Sequence, residues 1–221
     1  MLATFIIEIV CAVYVLYRYK LTPITRLAAA ILVCLAIFQL AEYNICEGAW
    51  GIDSLTWARV GHVAITLLPP LGIHLATKLA GQKKPLLVGI VYGLATVFSL
   101  IFMFAGHGMQ AQQCLGNYVI FSLAPGAVIP YTFYYYGLLW MGISYSWKAA
   151  KTLKSPTKKK ALYGLAIGYL AFIVPTTIVN VIDPSTMAGI PSIMCGFAVI
   201  LAIVLTGSVV PNYYTKRASK K

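Results

Sequence analysis

The chain has 221 residues, 60% of them hydrophobic and only 10% charged, with a mean hydropathy of +0.83. A water-soluble domain carries roughly 25% charged residues, so this composition excludes a soluble globular protein and implies segments that cross a bilayer. The net charge of +12 would suit nucleic acid, but the basic residues sit in short stretches between apolar runs, which is a membrane pattern.

Seven apolar segments follow one another near 2–17, 25–45, 55–80, 85–106, 119–147, 160–182 and 188–210. A helix needs about 20 apolar residues to cross the hydrocarbon core, and seven such helices with short loops use up the chain. The expected fold is therefore all-α, a single domain over 1–221. It is an integral membrane bundle of seven transmembrane helices with a short basic tail from about 211. Continuous apolar length, rather than an amphipathic period, is the signal in each segment. The first segment does not read as a cleaved signal peptide, because its positive charges follow the apolar run. The fifth is long and should tilt or extend past the bilayer. No internal repeat is visible, which gives the inverted-repeat transporter architectures little support.

Charge sorts the loops. Sixteen of the seventeen lysines and arginines fall between segments one and two, three and four, five and six, or in the tail; only Arg59 lies on the other side. Four of the five acids, Glu42, Glu47, Asp53 and Asp183, take that other side, and Glu8 sits in the N-terminal half of segment one. The positive-inside rule then places the N-terminus outside and the C-terminus in the cytoplasm. The expected location is a prokaryotic plasma membrane. Lys158, Lys159 and Lys160 set topology and meet lipid headgroups, or dock a cytoplasmic partner.

Polar groups inside a bilayer are costly and point to function. Here they gather toward the outer side: Gln39 and Glu42 at the end of segment two, Trp57, Arg59 and His62 at the start of segment three, Asn180 and Asp183 at the end of segment six. Glu42, Trp57, Arg59, His62 and Asp183 are the candidate ligand-binding residues. Arg59 should pair with Glu42, Glu8 or Asp183, either to pin helices together or to recognise a ligand. Arg59 and His62 are three apart and share a helical face. His74, twelve residues further in, cannot join them and reads as a packed histidine; His107 reads as exposed. Cys11, Cys34 and Cys195 read as small apolar packers. Cys46 and Cys114 both fall in outer loops, an oxidising setting in which a disulfide can form. Tyr134, Tyr135 and Tyr136 either line an apolar pocket or simply pack. Pro69, Pro70 and Pro175 should kink their helices. No lysine stands in segment seven to carry a retinal Schiff base. No catalytic or metal-binding motif is found, so neither a cofactor nor a metal is expected, and no enzyme activity.

The segment Trp57-Ala58-Arg59, with Pro69-Pro70, His74 and Gly81 after it, resembles the third helix of a known family. That family is the seven-helix N-terminal sensor region of bacterial and archaeal histidine kinases and diguanylate cyclases. The number of spans and their orientation match as well. The resemblance implies an input domain that passes a signal to a cytoplasmic output domain. No output domain is present in this sequence. Pro211 directly after segment seven should also end or kink the helix where a signalling helix would continue. Either the chain is a piece of a longer protein, or the module acts through another one.

The expected function is a membrane sensor or receptor-like module. It would bind a small or lipidic ligand in the outer half of the bundle and signal to a cytoplasmic partner. The alternative is a membrane transporter or a membrane-embedded assembly subunit. The expected partners are the lipid bilayer, an extracytoplasmic small molecule or lipid, a cytoplasmic signalling protein and a second copy of the chain, with no nucleic acid.

Overall fold

A computed structural model describes residues 1–104, 109–115, 118–123 and 125–214. His107 and the basic tail residues Lys216, Arg217, Lys220 and Lys221 lie outside the described residues. The chain is predominantly helical. Its helices are α1 (Leu2–Arg18), α2 (Pro23–Glu47), α3 (Ser54–Thr66), α4 (Leu68–Ala80), α5 (Pro85–Phe104), α6 (Pro125–Thr152), α7 (Pro156–Ile182), α8 (Ile190–Phe197), α9 (Val199–Val204) and α10 (Val210–Tyr214). They group into seven rods, because α3 and α4 run on as one rod and α8 to α10 as another. Five of these are long and apolar enough to cross a membrane: Pro23–Glu47, Ser54–Ala80, Pro85–Phe104, Pro156–Ile182 and Ile190–Tyr213.

Local chemistry sets the helix boundaries. Thr22 caps α2 by accepting from the Thr25 N–H, Pro23 opens the helix where its missing N–H costs nothing, and Gly48 closes it at φ +65°. Gly81 closes α4 in the same left-handed conformation. Asp53 caps α3 through the Thr56 N–H at 2.9 Å. At the α3–α4 junction Pro69 and Pro70 cannot donate to the carbonyls of Ile65 and Thr66 four residues earlier. The chain breaks step at Leu67, and the Tyr134 hydroxyl from α6 donates to the Thr66 oxygen at 2.6 Å.

Two expectations need correction. The segment expected to be helical from 119 begins as a β-hairpin: β1 (Met109–Leu115) pairs antiparallel with β2 (Tyr118–Leu123), Cys114 opposite Val119. The fold is therefore not purely helical, and α6 starts only at Pro125. Hydrophobicity alone cannot separate a short apolar strand from a helix; β-branched and aromatic Val119, Ile120 and Phe121 suit a strand. The second correction concerns Pro211. The last helix runs through it to Tyr214, because the turn before it widens to a π-helix over Leu205–Val209. The Asn212 side-chain amide donates back to the Ser208 carbonyl at 2.8 Å, supplying a bond the irregular turn would lack.

Side-chain contacts define the two ends of the bundle. A disulfide between Cys46 and Cys114 ties the C-terminal end of α2 to the hairpin, with 5.7 Å between the Cα atoms. At the opposite end the Tyr145 hydroxyl donates to Gln82 in the α4–α5 loop at 2.9 Å. Helix α2 is central and buries Leu32, Leu35 and Phe38 completely or nearly so. Helix α5 is the opposite case, exposing Leu86, Ile90, Leu94, Val97 and Leu100. Such a row of bare apolar side chains is stable against lipid and unfavourable against water.

Candidate functional site

At the hairpin end lies a cavity of about 500 Å³, within the size range of small-molecule sites. Phe121 and Leu123 of β2 form one wall. Tyr131, Tyr135 and Tyr136 of α6 form a second, and Ile190 and Met194 of α8 a third. Its lining is dominated by apolar and aromatic side chains. The Tyr131 hydroxyl is engaged with Thr66 Oγ1 at 3.0 Å.

A layer of aromatic rings supports this wall. His62 is fully buried, with its ring 4.7 Å from Phe121, 5.3 Å from Phe102 and 6.3 Å from Phe38. Its Nδ1 meets the Ala58 carbonyl at 3.2 Å, and Nε2 has no hydrogen-bond partner. Four rods and the hairpin thus meet at one imidazole, through Phe38 of α2, His62 of α3, Phe102 of α5, Tyr131 of α6 and Phe121 of β2. The histidine belongs to the scaffold behind the cavity and does not line it.

The other candidate residues scatter. Glu42 of α2 and Glu8 of α1 are both buried, and Oε1 of Glu42 and both carboxylate oxygens of Glu8 have no hydrogen-bond partner. Trp57 is buried under Trp50, with ring centroids 5.7 Å apart. The two rings are tilted by 57°, and Trp50 itself sits at φ +69°, a conformation unusual for any residue with a side chain. Arg59 is half-buried and its Nε lacks a partner.

Asp183 does not line the cavity. It is exposed, and its carboxylate accepts from the Ser185 N–H at 3.0 Å and the Ser185 hydroxyl at 2.6 Å, closing its own turn after α7. The expected pairing of Arg59 with Glu8, Glu42 or Asp183 does not form among the described residues. None of the five candidates lines the cavity.

Among the remaining residues, His74 is half-buried with Nδ1 3.4 Å from the Tyr92 hydroxyl. Cys195 is buried, and Cys11 and Cys34 are partly so. Lys158 and Lys159 are half-buried and Lys160 exposed, in the first turns of α7. Among the described residues no group of three or more His, Cys, Asp or Glu side chains could hold a metal ion.

Asp53 is exposed, and hydrogen bonds from the Thr56 hydroxyl and N–H hold its carboxyl below the ordinary range. Sequence reasoning left Tyr134, Tyr135 and Tyr136 either to line an apolar pocket or to pack; Tyr135 and Tyr136 line the cavity and Tyr134 does not. It missed the hairpin, Met194 and Ser192, whose roles depend on which rods touch. The chain matches no protein-family model, and no curated protein matches it.

Proposed function

We propose that the protein is a membrane sensor or receptor-like module that takes a small or lipidic ligand into the cavity at its hairpin end. The observation that carries this reading is the cavity itself, about 500 Å³ between the hairpin, α6 and α8. Its lining suits an apolar body such as an acyl chain. The placement of sixteen of seventeen basic residues supports a seven-span topology with the N-terminus outside, the C-terminus in the cytoplasm and the cavity in the outer half. The resemblance of Trp57-Ala58-Arg59, Pro69-Pro70, His74 and Gly81 to the sensor regions of histidine kinases and diguanylate cyclases supports a signalling role. The signal passes to a cytoplasmic protein that meets the basic loops. A ligand that prefers one packing of the kinked α3–α4 rod over another shifts the balance between them. This revises the site: Phe121, Tyr131, Tyr135 and Met194 touch the ligand, while His62 and Thr66 hold the wall.

The test is mass spectrometry of small molecules and lipids that copurify with the full chain, beside Thr132→Trp and Ile190→Trp, which fill the cavity. A molecule retained by the parent and lost from both variants, with helix content unchanged, is the expected result. Equal retention by all three proteins refutes the assignment.

A further inference from the structure

The three walls of the cavity do not close on one another equally. Walls β2 and α6 are joined by the chain itself, since α6 begins at Pro125 just after Leu123. Walls β2 and α8 are joined by a hydrogen bond, in which the Val119 N–H donates to Ser192 Oγ at 3.1 Å. The third edge, between α6 and α8, carries exposed side chains. Val128 of α6 is 41% exposed, Thr132 is exposed as well, and Met187, in the 3-10 turn Pro184–Gly189 before α8, is 58% exposed. The deeper lining residues Phe121, Tyr131, Tyr135 and Met194 are buried. The cavity therefore has its mouth between α6 and α8.

That mouth opens onto a surface suited to lipid. At 3.6 residues per turn, side chains follow one another round α6 in the order Tyr131, Tyr135, Val128, Thr132, Ile129 and Phe133. The first two are buried, the next two line the mouth, and Ile129 and Phe133 are 65% and 76% exposed. The wall of the cavity thus turns into the outer face of the helix. No charged residue occurs from Pro125 to Trp147. Val181 and Ile182, at the end of α7 just before the 3-10 turn, are exposed too. In a bilayer such a surface is covered by acyl chains, so lipid and not water stands before the mouth.

Inside, the cavity offers no charged side chain. Its side-chain hydroxyls belong to Tyr131, Thr132, Tyr135 and Tyr136, and that of Tyr131 is already engaged with Thr66. A charged or strongly polar solute would lose its water there without gaining partners. A chain of methylenes has no such cost. Tyr135 and Met194 also line a second, much smaller cavity of about 10 Å³, together with Leu68 and Phe172. Its size suits the end of a chain and not a ring. We propose that a lipid of the outer leaflet enters sideways between α6 and α8. One acyl chain fills the cavity with its end toward Tyr135 and Met194, and the headgroup stays at the mouth. The lipid is then the ligand of the sensor reading, on whose cavity assignment this route rests.

A phosphatidylcholine with a diazirine near the end of one acyl chain tests the route, in liposomes that hold the full chain. After irradiation, peptide mass spectrometry should find adducts on Phe121, Tyr135 or Met194, beside those on the lipid-facing Leu94 and Val97 of α5. Val128→Trp and Met187→Trp narrow the mouth at exposed positions. Each should lower the interior labelling several-fold and leave the labelling of α5 unchanged. Interior labelling that survives both variants overturns the route between α6 and α8. Labelling of α5 without any in the interior overturns the lipid. If in that case a water-soluble molecule is retained by the parent and lost from Ile190→Trp, the cavity takes its ligand from water, and only the lateral route falls. Neither interior labelling nor a retained molecule removes the cavity reading as well.

Discussion

The Tyr134 hydroxyl donates to the backbone oxygen of Thr66 at 2.6 Å, which is the bond that Pro70 cannot make. A defect in one rod is thus repaired by a side chain from another, and α6 is keyed to the α3–α4 kink. Replacing Tyr134 with Phe leaves a buried carbonyl unsatisfied, at a cost of about 1–3 kcal/mol. Pro70→Ala restores an N–H four residues after Thr66. The cost of Tyr134→Phe should shrink in that background. A double-mutant cycle on thermal or denaturant unfolding in detergent measures it, and a cycle that closes with simple additivity contradicts the keying.

A second contact between rods depends on a missing side chain. A Cβ on Gly72 of α4 would fall on the Tyr169 hydroxyl of α7. Tyr169 is 2% exposed and its hydroxyl has no partner, so α4 and α7 approach closely only because residue 72 is glycine. Gly72→Ala should destabilise by about 1–3 kcal/mol through overpacking. Tyr169→Leu should recover part of that loss by removing the far end of the ring. Unfolding midpoints of the two single variants and the double variant decide the matter.

Much of the architecture is legible in the sequence because membrane burial acts on continuous stretches. Long apolar runs, Gly48 and Gly81 at helix ends and the prolines at 23, 85 and 156 mark the rods with little ambiguity. The hairpin is not legible in this way. Val119-Ile120-Phe121 is as apolar as the helix that follows, and its strand pairing depends on Cys114, Gln113 and Gln112, five to nine residues earlier. The site was legible in kind but not in membership. Costly polar residues do gather at one end, but a sequence does not say which neighbour each one meets. Asp183 satisfies itself within its own turn, and Arg59 forms no ion pair with Glu42.

The disulfide between Cys46 and Cys114 closes 68 residues of chain. By loop entropy, a closure of that length stabilises by about 4 kcal/mol at most. It also holds β1, and through it the β2 wall of the cavity. Cys46→Ser with Cys114→Ser should lower the unfolding midpoint and speed hydrogen exchange in 118–123, leaving the α6–α7 contact unchanged. Exchange that accelerates uniformly over the chain would show that the bond stabilises the whole bundle and not the hairpin in particular.

The Asp53 cap has a definite pH dependence. Its carboxyl is held below the ordinary value of 3.8 by the Thr56 hydroxyl and N–H. A depressed carboxyl contributes stability that is fully present above that ordinary value and is lost as pH falls through the lower, folded value. The start of α3 should therefore stay protected from neutral pH down to mildly acidic conditions and fray below. Asp53→Asn keeps an acceptor for the Thr56 N–H and removes the titration. Hydrogen exchange at Thr56, followed against pH in both proteins, should show an acid-dependent loss in the parent alone.

The lysine run at the start of α7 is placed against the helix's own field. The first turns carry partial positive charge, so cations there are disfavoured by about 0.3–1 kcal/mol each. Lys158 and Lys159 are half-buried and Lys160 exposed, with Pro156 opening the helix just before them. Under the proposed topology this cluster would meet lipid phosphates or an acidic partner on the cytoplasmic side. Changing all three to Glu should leave the unfolding midpoint unchanged or slightly raised. If the lysines dock the cytoplasmic partner, crosslinking to it in native membranes should be lost while the disulfide still forms. If they serve only to orient the chain, the triple variant should insert with altered protease accessibility of the α6–α7 loop. Intact crosslinking together with unchanged accessibility would remove both roles.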